Sequence, residues 1–202
     1  RSLSARGYRA QVSSALPLTY QIDYQHAARP LVSIIIQSHD NLECVQRTLV
    51  SVLQRTRYQR HEILIADNHS QSQELSDWLT SLEAKGDRIR VLRSAQRVSP
   101  STLANAACTE AKGEYLLLLS AGAQVINANW LESLINQAQR PEVGVVGAKL
   151  MDARGVTTQA GLVLGMNGDM GSAFVGHRKD ESGYLNGHQV EQNYSAVSGT
   201  CL

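Results

Sequence analysis

Short apolar runs alternate along this chain with segments whose apolar residues recur at helical spacing. The runs are rich in β-branched residues or leucine, as expected for strands that are buried on both faces of a sheet. They are LVSIII (31–36), EILIAD (62–67), IRVLR (89–93), YLLLL (115–119) and VGVVGA (143–148). Regular alternation of strand and helix predicts the α/β class, with a mostly parallel sheet flanked by helices.

Helix starts are predicted where capping residues follow the strands. Asp40–Glu43 is close to a capping box, with Asp in place of Ser or Thr, and Ser70 with Gln73 forms a second capping pair. Ser99 and Pro100 provide an N-cap and a favourable first helical residue for a third helix. Each predicted helix therefore begins just beyond the carboxyl end of a strand.

The chain is predicted to have a lead-in segment, residues 1–30, and one domain, residues 31–202. The lead-in lacks sustained periodicity and is expected to hold at most a short helix. After Lys149, short β-prone runs around glycine turns indicate a β-hairpin, and 167–193 is expected to form a long loop. The strand-helix region is thus followed by a C-terminal hairpin and loop region.

Composition excludes several classes of protein. With 202 residues, 43% of them hydrophobic, the chain can bury one core, and a formal charge of +1 does not indicate a nucleic-acid partner. Three widely spaced cysteines fit neither a disulfide framework nor a CxxC metal site. No run resembles a membrane span or a signal peptide. A start without Met and an apolar end at SGTCL lead us to expect a piece of a longer protein.

A ligand site is expected beyond the carboxyl ends of the strands, the usual position in open α/β sheets. This rule selects QSHDN (37–41), DNHSQS (67–72) and SAGAQ (120–124). Neither GxGxxG after the first strand nor GxxxxGK[ST] is present, which excludes a Rossmann dinucleotide fingerprint and a P-loop. Asp67 remains, either as an acceptor for a base or ribose or as an organiser of the turn into the next helix.

Five segments resemble the family-2 glycosyltransferases of the GT-A fold, including rhamnosyltransferase-like enzymes of bacterial surface polysaccharides. The resemblance extends from Leu31 to Leu202 and rests on segments that occur in the family's order. They are VSIIIQSHDN, EILIADNHSQS, NAACTEAKGEYLLLL, WLESLINQAQRPEVGVVGAKL and NYSAVSGTCL. The resemblance implies a GT-A-like (Rossmann-like) sheet and a nucleotide-diphosphate sugar as donor.

The resemblance also implies positions for the site. Residues 38–40 would lie along the nucleotide and Asp67 would bind the base, whereas the DxD aspartates that hold Mn²⁺ or Mg²⁺ in the family would fall at 120–122. This tip reads Ser-Ala-Gly and is a degenerate DxD motif, which offers no carboxylate to the metal that the family uses. The nucleotide-sugar-binding residues expected here are Ser38, His39, Asp40, Asp67, Ser120 and Gly122.

The implied function is transfer of a sugar from the nucleotide donor to a glycan or lipid-linked glycan acceptor in cell-surface polysaccharide synthesis. The family's catalytic base would follow Leu202, in an acceptor-binding half expected in the remainder of a longer parent chain, so no catalytic or metal-binding residue is assigned. The alternative is a catalytically inactive GT-A-like domain that serves in binding or assembly. The implied location is the cytoplasm, or the inner face of the cytoplasmic membrane.

Overall fold

The computed structural model describes residues 2–14, 17, 19–84, 88–166 and 168–202. The chain divides into two compact units. We call Ala28–Glu132 with Gly199–Cys201 the sheet unit, and the described residues of 1–27 with Ser133–Ser198 and Leu202 the terminal unit.

The regular elements follow one another along the chain. In order they are α1 (Ser2–Ala5), β1 (Gln11–Ser13), β2 (Gln21–Asp23), β3 (Val32–Ser38), α2 (Leu42–Arg55), β4 (His61–Asp67), α3 (Gln73–Glu83), β5 (Ile89–Arg93), α4 (Pro100–Glu110), β6 (Tyr115–Ser120), α5 (Trp130–Ala138), β7 (Leu150–Met151), β8 (Thr157–Gln159), β9 (Leu162–Met166), β10 (Asp169–Ser172) and a 3-10 helix (Tyr184–Gln189).

The sheet unit contains a four-stranded parallel sheet in the order β5-β4-β3-β6. The central strands β3 and β4 are buried along almost their whole length, which explains their continuous apolar sequence. On one face, Ile35 and Leu64 pack with Leu103 and Ala107 of α4. The predicted α/β class with a parallel, helix-flanked sheet is confirmed.

A buried carboxylate organises the edge at which the strands begin. Glu62 accepts hydrogen bonds from the Ser33 hydroxyl at 2.6 Å and the Lys112 backbone N–H at 2.7 Å, and it pairs with Arg90 at 3.0 Å. Burial alone raises the pKa of Glu62, but these three partners outweigh it and the net pKa is lowered. The Ser33 hydroxyl in turn accepts from the Gly113 N–H, so this cluster fixes the entry into β6.

The predicted strand at 143–148 is wrong. These residues form no strand, and Val145 is 54% exposed. A β-carbon on Gly147 would lie 2.6 Å from the Val197 Cβ. The glycine therefore lets the Val197 side chain approach the backbone closely, and it is not part of a strand pair. The apolar run therefore reflects packing of an irregular segment.

Two of the three predicted helix caps are also wrong. The N-cap of α2 is Asn41, whose side chain accepts from the Cys44 N–H, and the N-cap of α3 is Ser72. Asp40 and Ser70 instead bond to the neighbouring loop. The prediction for α4 is confirmed, since Ser99 caps the helix and Pro100 opens it.

The terminal unit contains three antiparallel strand pairs, β1–β2, β7–β8 and β9–β10. The hairpin structure predicted after Lys149 is present, whereas the expected long loop at 167–193 includes β10 and the 3-10 helix. In the lead-in segment, residues 1–30, helix α1 matches the short helix that was expected. The strand pair β1–β2 in the same segment was not predicted. Residues 1, 15, 16, 18 and 167 of these predicted segments lie outside the described residues. The boundary between residues 30 and 31 stays a prediction.

An aromatic and charged cluster stabilises the terminal unit. The Tyr8 hydroxyl donates to Glu142 at 2.6 Å, and Tyr8 meets Tyr24 edge-on with 5.1 Å between ring centroids. The Arg140 guanidinium lies 4.9 Å from the Tyr24 centroid and also bonds to Glu142. The pKa of Glu142 is lowered to about 2; the hydrogen bond from Tyr8 is the largest cause, and the hydrogen bond from Arg140 is the next. Among the described residues, no helix is long and apolar enough to cross a membrane.

Candidate functional site

The carboxyl edge of the parallel sheet brings together the loops selected from the sequence. Ser38 at the end of β3 is the register partner of Asp67 at the end of β4, and Gln37 is the partner of Ser120 in β6. Register partners on parallel strands direct their side chains to the same face of the sheet. Ser38 and Asp67 are thus side by side, and Ser120 shares the opposite face with Gln37.

Ser38 has an unusual environment for a hydroxyl. The residue is 3% exposed, and its Oγ has no hydrogen-bond partner among the described residues. A buried hydroxyl without a partner is unfavourable by about 1–3 kcal/mol. Asp67 beside it is also buried, at 5% exposure, so the two polar side chains form a buried pair at this edge.

Asp67 is partly satisfied by the loop that follows it. The Ser70 N–H donates to Asp67 Oδ2 at 3.1 Å, and the Ser70 hydroxyl donates to Oδ1. The same hydroxyl accepts from the Asp40 N–H at 2.9 Å. These bonds agree with the interpretation of Asp67 as an organiser of the turn. Each carboxylate oxygen nevertheless retains acceptor capacity, so binding of a base remains compatible with the geometry.

Asp40 joins the loop after β3 to the loop after β4. Its backbone has a φ of +45°, and its Oδ1 accepts from the N–H groups of Gln71 at 2.5 Å and Ser72 at 3.3 Å. The Gln71 hydrogen bond is the largest cause of a lowered pKa for Asp40. His39 lies between the two loops, with Nδ1 3.2 Å from the Asn68 carbonyl oxygen. The Asp40 carboxylate therefore holds the loop after β3 and the loop after β4 together.

The loop after β5 joins the same edge and was not selected from the sequence. The Asn68 side chain donates to the Val98 carbonyl and accepts from the Val98 N–H, both at 2.9 Å. The Ser94 N–H donates to the Asp67 carbonyl at 2.9 Å. Asn68 is 8% exposed, and its place directly after Asp67 at a strand end is what the sequence shows of this contact.

The tip of β6 is held by hydroxyl groups of α2. The Gly122 N–H donates to Thr48 Oγ1 at 2.8 Å, and the Val125 N–H donates to Ser51 Oγ at 3.0 Å. The Ala121 N–H donates to the Gln37 carbonyl at 3.1 Å, which attaches the tip to the end of β3. The tip is therefore ordered without any contribution from carboxylates.

The residues of this edge do not fit the divalent metal that the family resemblance implies. Residues 120–123 carry no carboxylate, and Asp40 and Asp67 already accept hydrogen bonds from neighbouring loops. Within the described ranges, no group of three His, Cys, Asp or Glu side chains could hold a metal ion. A hard divalent cation binds oxygen ligands and normally needs anionic ones.

Comparison with known proteins decides the family. Residues 33–200 match the model of the family described as Glycosyl transferase family 2. The chain belongs to glycosyl transferase family 2. This match spans most of the chain and confirms the family resemblance drawn from the five sequence segments.

Two relatives match nearly the whole chain. This chain is 37% identical over 191 residues to the protein y4gI of Sinorhizobium fredii. The aligned region covers 95% of this chain and 21% of that protein. The chain is 32% identical over 205 residues to the O-antigen biosynthesis protein RfbC of Myxococcus xanthus, which covers 99% of this chain and 16% of that protein. The chain thus spans about a fifth or less of the length of these relatives.

Solved glycosyltransferase structures share the fold. The mannosyltransferase PcManGT of Pyrobaculum calidifontis, solved with GDP-Man and Mn²⁺, aligns with a TM-score of 0.55 and 18% identity, covering 61% of this chain and 37% of that chain. GalNAc-T7, solved with UDP, GalNAc and Mn²⁺, aligns with a TM-score of 0.52 and 24% identity, covering 55% of this chain and 21% of that chain. The predicted GT-A-like fold is confirmed.

Proposed function

We propose that this domain binds the nucleotide-diphosphate sugar of a glycosyltransferase that builds a cell-surface polysaccharide of the O-antigen type. The observation that carries the proposal is the Ser38–Asp67 pair, a buried hydroxyl without a partner beside a buried carboxylate at the sheet edge of a family-2 domain. The relationship to an O-antigen biosynthesis protein supports the class of product.

The chemistry of the pair suits a nucleotide. An ionised carboxylate only accepts hydrogen bonds, so Asp67 would bind an N–H group of a base, and the Ser38 hydroxyl would bond to the base or ribose. His39 and Asp40 would line the nucleotide, and Ser120 and Gly122 would lie toward the sugar diphosphate. The acceptor would be a glycan or a lipid-linked glycan, with the reaction taking place in the cytoplasm or at the inner membrane face.

A second function, binding or assembly without catalysis, is favoured by one specific observation. The tip at 120–123 has no carboxylate, although it is held in place by Thr48 and Ser51. A domain that keeps the GT-A-like, nucleotide-binding fold but lacks the metal ligands would still bind a nucleotide or a partner protein. Nucleotide binding is therefore the property to measure first, and transfer of a sugar the second.

Calorimetric titration with UDP, GDP and dTDP tests the proposal. We expect the wild-type chain to bind at least one of the three. The Asp67→Ala variant should bind it about 1.5–3 kcal/mol more weakly, the range for a charged hydrogen-bond partner, which corresponds to roughly 10- to 150-fold.

Asp77→Ala is the matched control, because it removes an exposed carboxylate from α3. Its affinity should equal that of the wild type. The proposal would be refuted if the wild type bound none of the three nucleotides. Equal affinities of the wild type and the Asp67 variant would remove Asp67 from the site.

A further inference from the structure

The edge at which the parallel strands begin, which we call the amino edge, carries a group of cationic side chains. These amino-edge cations lie in the connections that enter the four strands, and they are Arg29, Arg57, Arg60, Arg88 and Lys112. All five are exposed, and among the described residues no hydrogen bond or salt bridge engages their charged groups. By contrast, Arg90 pairs with Glu62, and Arg93 pairs with Glu83. The five charges therefore take no part in an ion pair of the fold.

Hydrogen bonds between the connections place these cations along one edge. The Arg60 carbonyl accepts from the first N–H of β3 at 3.0 Å, and the Arg88 carbonyl accepts from an N–H of β4 at 2.9 Å. The Lys112 N–H donates to Glu62 of β4 at 2.7 Å. Because neighbouring strands lie about 4.8 Å apart, the connections entering β5, β4, β3 and β6 span roughly 15 Å. The charges are thus spread along the whole edge of the sheet.

The loop between α2 and β4 presents two of these cations on a fixed backbone. Tyr58, between Arg57 and Arg60, is 3% exposed, and its hydroxyl donates to the Pro30 carbonyl at 2.7 Å. Burial is the largest cause of a raised pKa for Tyr58, while the nearby charges of Arg29 and Arg60 act to lower it. The buried tyrosine therefore joins this loop to the segment that carries Arg29.

Carboxylates do not balance the charge of the amino edge. Glu62 is buried and already pairs with Arg90, and the exposed carboxylates described beside the cations are Glu110 at the end of α4 and Glu114 before β6. The C-terminal ends of α2, α3 and α4 also lie at this edge, and each is equivalent to about half a negative charge. Two carboxylates and three helix ends leave the five cations in surplus.

We propose that the amino-edge cations bind the anionic headgroups of a lipid membrane and dock the sheet unit on its surface. Charges carried by four separate connections suit a layer of many phosphate groups, whereas one small anion would need them to converge. Arginine guanidinium groups match phosphate oxygens with paired N–H donors. The inference goes beyond the proposed nucleotide site, because that site lies at the opposite end of the strands and stays open to a donor from solution.

Co-sedimentation of the chain with lipid vesicles tests the proposal. The vesicles contain either equal parts of phosphatidylglycerol and phosphatidylcholine, or phosphatidylcholine alone. Wild type should bind the first and not the second. Arg57→Gln/Arg60→Gln should bind the anionic vesicles roughly 10- to 30-fold more weakly, since each basic residue near such a surface contributes about fivefold.

Arg47→Gln/Arg97→Gln is the matched control, because it removes two exposed arginines of the same unit that lie toward the carboxyl edge. Its binding should stay within about threefold of wild type, since salt screens charges that are more than a Debye length from the surface. Arg57→Lys/Arg60→Lys keeps both charges and should retain most of the binding. Urea denaturation of each variant checks that the fold is kept.

Failure of wild type to bind the anionic vesicles, or equal binding to both kinds of vesicle, would overturn the inference. An equal loss in the control variant would overturn it too, because the effect would then follow net charge alone. Binding of a single-stranded oligonucleotide without binding of the vesicles would assign the edge to nucleic acid and contradict the inference. Titration of the same proteins with UDP, GDP and dTDP keeps the two proposals apart. Vesicle binding without nucleotide binding would refute the nucleotide site and leave the docking surface standing.

Discussion

Asn68→Ala should loosen the loop after β5 and lower the stability of the fold. The side chain makes two hydrogen bonds of 2.9 Å to the backbone of Val98, and Asn68 is 8% exposed. Each bond contributes about 0.5–1.5 kcal/mol, and a buried group left without a partner is unfavourable by about 1–3 kcal/mol. Because Val98 is half-buried, water can replace part of the two lost hydrogen bonds. We therefore expect the free energy of unfolding to fall by about 2 kcal/mol.

Urea denaturation measures this loss, and limited trypsin digestion locates it. Trypsin cleaves after arginine, so it can cleave the peptide bond between Arg97 and Val98. The Asn68 side chain is hydrogen-bonded to Val98, the second residue of that bond. Cleavage there should be faster in the variant than in wild type. Asn193→Ala, at an exposed position of the terminal unit, is the control and should change neither measurement. Stability within about 0.5 kcal/mol of wild type, with unchanged cleavage at this bond, would refute the role assigned to Asn68.

Three further predictions address packing, pH and metal. Gly113→Ala should destabilise the fold by about 3 kcal/mol in urea denaturation, since its β-carbon would lie 2.5 Å from the Ser33 backbone nitrogen, whereas Gly144→Ala, with nothing within 4 Å, should be close to neutral. The pKa of Glu142 is lowered from 4.5 to about 2, so its stabilisation is present above pH 4.5 and lost as the pH falls toward 2; denaturation of wild type and Tyr8→Phe across this range should show a smaller loss in the variant. Replacing EDTA by Mn²⁺ should change the dissociation constant of a bound nucleoside diphosphate by less than about tenfold, or 1.4 kcal/mol, in calorimetry.

The sheet could be predicted from the sequence because its strands are buried on both faces. A strand covered by helices is apolar at almost every position, and 34–36 and 63–66 show this pattern. The same criterion failed at 143–148, since an irregular segment that packs through Gly147 is apolar for a different reason. A run of apolar residues therefore does not by itself distinguish a buried strand from an irregular segment that is partly exposed.

Helix caps show a similar limit. Asp40 and Asn41 are adjacent residues with equal capping ability, so the local sequence leaves the choice open. The structure assigns Asn41 to α2, because the Asp40 carboxylate accepts from the Gln71 and Ser72 backbones across the loops. A contact between residues about thirty positions apart decides which of two neighbours caps the helix.

The candidate site was predicted only where it follows strand ends. Ser38 and Asp67 could be selected because parallel strands bring their carboxyl ends to one edge. The role of the six selected residues in ligand binding stays a prediction. The loop after β5 could not be selected, because its position depends on the hydrogen bonds between Asn68 and Val98, and no local pattern in that loop reveals them.

The tip of β6 has the backbone of the fold but no carboxylate side chain that could bind the metal of the family. The Gly122 N–H donates to Thr48 and the Val125 N–H to Ser51, both of α2, so no side chain of 120–123 is needed for these contacts. Gly122 has a φ of +97°, a conformation that disfavours any residue with a β-carbon, so a return to an acidic residue there would introduce strain, whereas Ser120 lies in regular strand. Likeness to metal-containing structures therefore does not by itself imply a metal at this tip. The function must be argued from the groups that remain, above all the buried Ser38–Asp67 pair.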